Sequence, residues 1–149
     1  MSSPALHMTA SNWTAAPGYS NLFVPRFAPW TNIAMTHLIH KYSSRDQGGG
    51  IALIPYCGPG QGLIPLAEIV GTPVVGVDIA PGMVDICIQR TKYSSQVTAL
   101  VGDAAHPPPG PYSAVLSVFG LQQLAAPVSA LEAWVRPILP GGIAVASKC

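Results

Sequence analysis

Ile51-Ala-Leu-Ile-Pro-Tyr-Cys-Gly-Pro-Gly-Gln-Gly62 is a short apolar run that ends in proline and opens onto three glycines. The run has the length of a buried strand, and the glycines permit a tight turn with close backbone approach. Leu63 to Val70 then reads as a helix stopped by Gly71. Pro73-Val-Val-Gly-Val-Asp78 reads as a second strand. Pro81 opens a helix reaching about Lys92, with Met83, Val84, Cys87 and Ile88 at helical spacing. Val97 to Val101 and Ala114 to Val118 are a third and a fourth strand. Val128 to Val135 is a helix, and Ile143 to Ser147 a fifth strand after the turn Pro140-Gly-Gly142. Short apolar strands alternating with helices imply βαβ units and a parallel sheet. Strands buried on both faces read as continuous apolar runs, as these do. The expectation is a doubly wound α/β domain with right-handed crossovers.

Two parts are expected: an N-terminal arm over residues 1–47 and a core over 48–149. Residues 1 to about 18 are small and polar, with a short helix expected near Asn12 to Ala16. The next stretch carries Tyr19, Leu22, Phe23, Val24, Phe27, Trp30, Ile33, Met35, Leu38 and Ile39, broken by Pro25 and Pro29, and Pro29 suits the first turn of a helix running to about Tyr42. Ser43 to Gly50 is a linker by composition. Of the 149 residues, 49% are apolar and 9% charged, with a net charge of +1. That composition excludes a disordered chain. The seven cations are scattered, which argues against a nucleic-acid partner. Such a sparsely charged chain is expected to meet a partner through some apolar surface. No apolar run reaches the length of a membrane span, and the start lacks the pattern of a secretory signal. Cys57, Cys87 and Cys149 form no CxxC pair, so a disulfide framework or a metal site is not expected and a cytoplasmic setting is.

In a sheet of this kind ligands bind outside the carboxyl ends of the strands. Three features fall there. The glycine turn of Cys57, Gly58, Gly60 and Gly62 brings backbone close to a ligand at a helix N-terminus, although a tight strand-to-helix turn needs glycine anyway. Asp78 ends the second strand, 20 residues after Gly58; it suits the two hydroxyls of a ribose or the cap of the next helix. Asp103 ends the third strand within Gly102-Asp103-Ala104, where it suits an exocyclic amine or a loop hydrogen bond. The chain has six acids, and two of them end consecutive strands at this edge.

Together these segments resemble the class I S-adenosylmethionine-dependent methyltransferases, in the small-molecule branch of the ubiquinone- and menaquinone-biosynthesis type. The resemblance rests on Tyr56-Cys-Gly-Pro-Gly-Gln-Gly62, Val74-Val-Gly-Val-Asp-Ile-Ala-Pro-Gly-Met83, Leu100-Val-Gly-Asp-Ala-Ala105, Tyr112 to Gln122, and Leu139-Pro-Gly-Gly-Ile-Ala-Val145. It implies a Rossmann-like sheet of five strands in the order 3-2-1-4-5, and S-adenosylmethionine as cofactor with S-adenosylhomocysteine as product. Carried over position by position, Tyr56, Cys57, Gly58 and Gly60 line the methionine and ribose part. Asp78 and Ile79 sit at the ribose and Met83 packs on the adenine, or is simply a core methionine. Asp103 and Ala104 meet the adenine amine. Ser117 and Val118 face the reacting methyl, and Tyr19 is similar to an aromatic lid residue, or is ordinarily packed.

The sequence departs from that family in two ways. Ile54 stands where the family usually has an acid that helps hold the methionine amino end, and Tyr56 where it usually has glycine or alanine. The strand at Ile143 to Ser147 comes at the end of the chain, where the family usually adds two more, so an apolar edge is expected to pair with a second copy or a partner subunit. For a general base, His106 after the third segment is a weak candidate; His37 and His40 lie on the arm helix. Cys57 stands beside a helix N-terminus, which lowers a thiol pKa, though the family counterpart is a packed residue. The resemblance implies methyl transfer to a small apolar metabolite. The other reading, favoured by Ile54 and Tyr56, is a relative that does not methylate: a non-redox cyclase or isomerase, or a non-catalytic subunit of a complex.

Overall fold

The computed structural model describes residues 24–42 and 50–147, together with Gly18 and Asn21. Its elements are α1 (Val24–Lys41), β1 (Ile51–Ile54), α2 (Leu63–Val70), β2 (Val74–Asp78), α3 (Pro81–Thr91), β3 (Val97–Val101), β4 (Tyr112–Val118), a 3-10 turn (Leu121–Gln123), α4 (Pro127–Val135) and β5 (Ile138–Ser147). The five strands form one sheet in the order β3-β2-β1-β4-β5, and every neighbouring pair is parallel. The expected doubly wound, Rossmann-like sheet is therefore present in the expected order.

Strand alternation sorts the core into two layers. Ala52 and Ile54 of β1 and Ala114 and Leu116 of β4 face Ala34, Met35 and Leu38 of α1, Leu63, Leu66 and Val70 of α2, and Cys87 of α3. Leu53 and Val115 point the other way, with Val77 and Tyr112, against Ala130 and Trp134 of α4. Trp134 is fully buried, and its Nε1 donates to the carbonyl of Ala104, 2.7 Å away. That satisfies the indole N–H, as burial of a tryptophan requires, and pins the loop that follows β3.

Three boundaries differ from expectation. Helix α1 begins at Val24 rather than Pro29, and Pro29 lies inside it. The proline removes one N–H from the ladder, but the burial of Ala34, Met35 and Leu38 holds the helix through it. Strand β4 begins at Tyr112. Strand β5 begins at Ile138 rather than Ile143: Ile138 pairs with Tyr112 and Ile143 with Ala114, so the residues between form an outward step in the register. Gly142 is required in that step, because a Cβ there would lie 2.5 Å from the side chain of Ile138 and 2.8 Å from the carbonyl of Ser113. The helix expected near Asn12 to Ala16 lies outside the described residues. Among the described residues, no helix is long and apolar enough to cross a membrane.

Candidate functional site

The carboxyl ends of β1, β2 and β3 meet at Asp78. One carboxylate oxygen accepts from the Gly58 N–H at 3.0 Å and the other from the Ala80 N–H at 2.9 Å. The Asp78 carbonyl accepts from Gly102 N–H at 3.0 Å, and the turn itself is tied down where Cys57 N–H donates to Val77. One residue thus links the turns after β1, β2 and β3. Asp78 is buried, and burial pushes its carboxyl above the ordinary range, while the N–H groups of Ala80 and Gly58 pull it back. The cap-like contact to Ala80 and the hold on Gly58 use one acceptor position of each oxygen; a carboxylate has about four, so acceptor capacity remains.

The glycines of the turn have different tasks. Gly58, at φ 53°, has nothing within 4 Å of where a Cβ would stand, so its open face admits another molecule. At Gly60, φ 86°, a Cβ would meet Cys87 Sγ at 2.7 Å, so that glycine lets α3 pack beneath the turn. The Cys57 and Cys87 sulfurs lie 3.7 Å apart, both free and buried. The hydrogen bond to Cys87 and then burial push the Cys57 thiol up, opposite to what the helix N-terminus alone implies; Cys57 is packed and not an activated thiol.

The remaining sequence-predicted positions border the same edge. The Asp103 side chain is half exposed; its oxygens accept from Ala105 N–H at 2.9 Å and meet His106 Nδ1 at 3.2 Å. Ala104 is buried, Ile79 exposed, and Met83 buried in a small cluster with Ala80. Tyr56 is half buried against Gly120, where a Cβ would stand 2.6 Å from the tyrosine's own. Ser117 is fully buried and Val118 half buried at the end of β4. Tyr19 lies outside the described residues. His106 is exposed beside Asp103, His40 is exposed on α1, and His37 faces a groove.

That groove, about 590 Å³, runs between α1 and the ends of β4 and β5 and is lined by Phe27, Trp30, Ile33, His37, Phe119 and Ser147 among others. The Phe27 and Phe119 ring centres are 5.0 Å apart, and those of Trp30 and Phe119 are 6.3 Å apart and edge-on. Phe119 is a site residue that the sequence reading missed. Its φ is 60°, a left-handed backbone that non-glycine residues avoid and that clusters at functional sites. No local sequence signal marks it. A set of orphans is a second feature, of which only Ser117 was among the sequence-predicted positions. The buried side-chain N and O atoms that lack a partner among the described residues are Gln61 Oε1, Ser117 Oγ and Ser147 Oγ. Gln61 follows β1, and Ser117 and Ser147 stand in the last residues of β4 and β5, all at this one edge.

The Asp78 edge and an apolar groove thus lie on one rim of a Rossmann-like sheet. The methyltransferase domain family matches residues 56–142, more than half of the 149, and the chain belongs to that family. It is 33% identical over 107 residues to a demethylmenaquinone methyltransferase of Staphylococcus carnosus, which covers 69% of this chain and 44% of the relative. The chain therefore spans less than half the length of that curated protein. Among solved structures, a Methanococcus maripaludis protein described as a putative S-adenosyl-L-methionine-dependent methyltransferase superposes with a TM-score of 0.74 at 18% identity, covering 99% of this chain and 67% of its own. The [4+2]-cyclase SpnF superposes with a TM-score of 0.65 at 23% identity, covering 79% of this chain and 44% of its own. These two likenesses speak to the fold.

Proposed function

We propose that the protein transfers a methyl group from S-adenosylmethionine to a small apolar metabolite. The observation that carries this reading is that Asp78 and Asp103, at the ends of β2 and β3, stand on the same carboxyl edge of the sheet as the aromatic groove at the ends of β4 and β5. The residues present fit the cofactor: Gly58 is open, Asp78 and Asp103 keep acceptor capacity, and Ser117 Oγ lacks a partner. In this reading Asp78, with Ile79, holds the ribose hydroxyls. Asp103, Ala104 and Met83 hold the adenine, and Tyr56, Cys57, Gly58, Gly60, Ser117 and Val118 line the methionine side. Tyr19 closes over them.

Bound S-adenosylmethionine supplies a methyl on a sulfonium centre, open to in-line displacement. The protein's own work is positioning and exclusion of water. Phe27, Trp30 and Phe119 grip a flat apolar acceptor through their faces and edges. His37, in the groove wall, is placed to take a proton where the acceptor must lose one; His106 is held at Asp103. A groove of about 590 Å³ lies within the ~300–1,000 Å³ usual for small-molecule sites. The protein works in a reducing, cytoplasmic setting, in keeping with two buried free thiols, and it meets a second copy or a partner subunit. The competing reading, a cyclase, isomerase or non-catalytic subunit, draws support from buried, apolar Ile54.

Calorimetric titration with S-adenosylmethionine and S-adenosylhomocysteine tests the proposal. The expected result is binding in the micromolar range that weakens at least about tenfold in Asp103→Ala, the loss of one charge-assisted hydrogen bond, followed by label transfer in an acceptor screen. No binding by folded protein overturns it in favour of cofactor-free chemistry.

A further inference from the structure

Cys57 and Cys87 meet beneath the turn after β1, with 3.7 Å between their sulfurs. Cys57 is 5% exposed and Cys87 0%. Two glycines make the room: a Cβ at Gly60 would stand 2.7 Å from Cys87 Sγ, and one at Gly76 would stand 3.0 Å from Cys57 Sγ. The Cys87 thiol donates to the Gly58 carbonyl at 2.9 Å, while the Gly58 N–H donates to Asp78 at 3.0 Å. The thiol and the carboxylate thus hold one residue of the turn from its two sides. A disulfide needs its sulfurs about 2.05 Å apart, so joining this pair closes the gap by roughly 1.7 Å. Both side chains are packed against glycine backbone, so part of that movement falls on the turn. Joining them also removes the proton that the Gly58 carbonyl receives. Access is narrow. Cys57 lines a recess of about 30 Å³, room for about one group the size of a water molecule. A hydrogen peroxide molecule is near that size and a peptide disulfide is far above it.

We propose that Cys57 and Cys87 form a reversible redox switch, in which hydrogen peroxide closes them into a disulfide that reshapes the glycine turn and weakens binding there. In the first step the Cys57 sulfur attacks one peroxide oxygen, the O–O bond breaks, and a sulfenic acid and one water form. In the second the Cys87 sulfur attacks the Cys57 sulfur, the S–O bond breaks, and a second water leaves with the Cys87 proton. The two thiols give up two electrons and two protons, and the peroxide is reduced to water. A dithiol reverses the bond by exchange. The hydrogen bond to Cys87 and burial push the Cys57 thiol up, so the first step is slow and the pair stays open in a reducing setting. The second step is quick, because the resolving sulfur is already in contact. The bond itself does not depend on the cofactor reading above; its effect on that ligand does.

The test treats the whole chain with excess hydrogen peroxide, quenches with catalase, alkylates the remaining thiols and maps the peptides by mass spectrometry. The expected result is a Cys57–Cys87 cross-link that has lost two hydrogens. Affinity for S-adenosylhomocysteine should fall by at least about tenfold, as for the loss of one good hydrogen bond, and return with dithiothreitol. Cys87→Ser keeps a donor for Gly58 but cannot form the bond, so peroxide should cause no loss in it that dithiothreitol reverses. A treated wild type in which Cys57 and Cys87 remain unlinked, or pair with Cys149 or another chain, overturns the inference. So does a cross-linked chain that binds as tightly as the reduced one, or a reversible loss in Cys87→Ser. If the reduced chain does not bind S-adenosylhomocysteine, the cofactor reading fails by itself. Hydrogen exchange at the Gly58 and Gly60 amides, which are bonded to Asp78 and Cys57, then decides: faster exchange in the cross-linked chain upholds the switch and unchanged exchange overturns it.

Discussion

Phe119 gives the sharpest test of the groove. Its φ of 60° costs an ordinary residue roughly 1–2 kcal/mol, whereas glycine adopts it freely. Replacement by alanine removes the ring and leaves the strain; replacement by glycine removes both. The ring's contacts with Phe27 and Trp30 contribute about 0.5–1.5 kcal/mol each, and both variants lose them. Glycine carries an entropic cost of about 0.5–1 kcal/mol relative to alanine. The difference leaves Phe119→Gly more stable than Phe119→Ala by about 1 kcal/mol, although in regular helix or strand the order is the reverse. For a chain of this size that is about 2–4 °C in Tm, measurable by thermal unfolding followed by circular dichroism and by urea titration. Both variants should also lose affinity for a flat apolar probe such as 2-naphthol, read by quenching of Trp30, which is 56% exposed. If the alanine variant is as stable as the glycine variant, the left-handed backbone is not held in the folded protein and the wall we describe is not there.

Three other outcomes follow from the geometry. Trp134→Phe keeps a ring in the core but leaves the buried Ala104 carbonyl without its donor; it should cost at least about 1–3 kcal/mol in urea unfolding and, on the proposed function, weaken S-adenosylhomocysteine, because the loop carrying Asp103 loses its tie. Asp78 has a raised pKa from burial, so the folded state binds its proton more tightly than the unfolded chain does. Its contribution to stability is then largest below the unfolded value of about 3.9 and falls as pH rises through the folded value. The stability advantage of wild type over Asp78→Asn should shrink with rising pH in urea titrations begun near pH 4, and an advantage that grows instead contradicts the assignment. Leu38→Ala should cost about 2–5 kcal/mol, since Leu38 is fully buried in the layer over β1 and β4, and should lower affinity for the aromatic probe.

The five strands were legible as apolar runs, the first three closed by a proline, an acid and a glycine, and their order followed from the resemblance to the methyltransferases. Asp78 and Asp103 were legible because a carboxylate at the end of an apolar strand stands out in a chain with six acids. What stayed hidden depends on contacts between distant segments. The 3.2 Å bond from Phe119 N–H to the Ser147 carbonyl joins two strand ends 28 positions apart, and nothing near Phe119 announces its backbone. Gln61 reads as a neutral turn residue until its Oε1 proves buried without a partner among the described residues. The early start of α1 escaped because Pro29 is a strong local stop signal that the burial of Met35 and Leu38 outweighs.

That burial also fixes what kind of element α1 is. The same helix sets Ala34, Met35 and Leu38 into the core and Phe27, Trp30, Ile33 and His37 into the groove. Swinging it away would expose its buried side chains, each worth about 1.5–3 kcal/mol for the larger ones, a sum comparable with much of a small domain's stability. Motion that admits an acceptor must therefore be local to side chains such as Trp30, which is largely exposed, and not a swing of the described helix. The groove is a standing wall of the domain, and on the proposed function its selectivity is set by the shape of Phe27, Trp30 and Phe119 more than by closure around the acceptor.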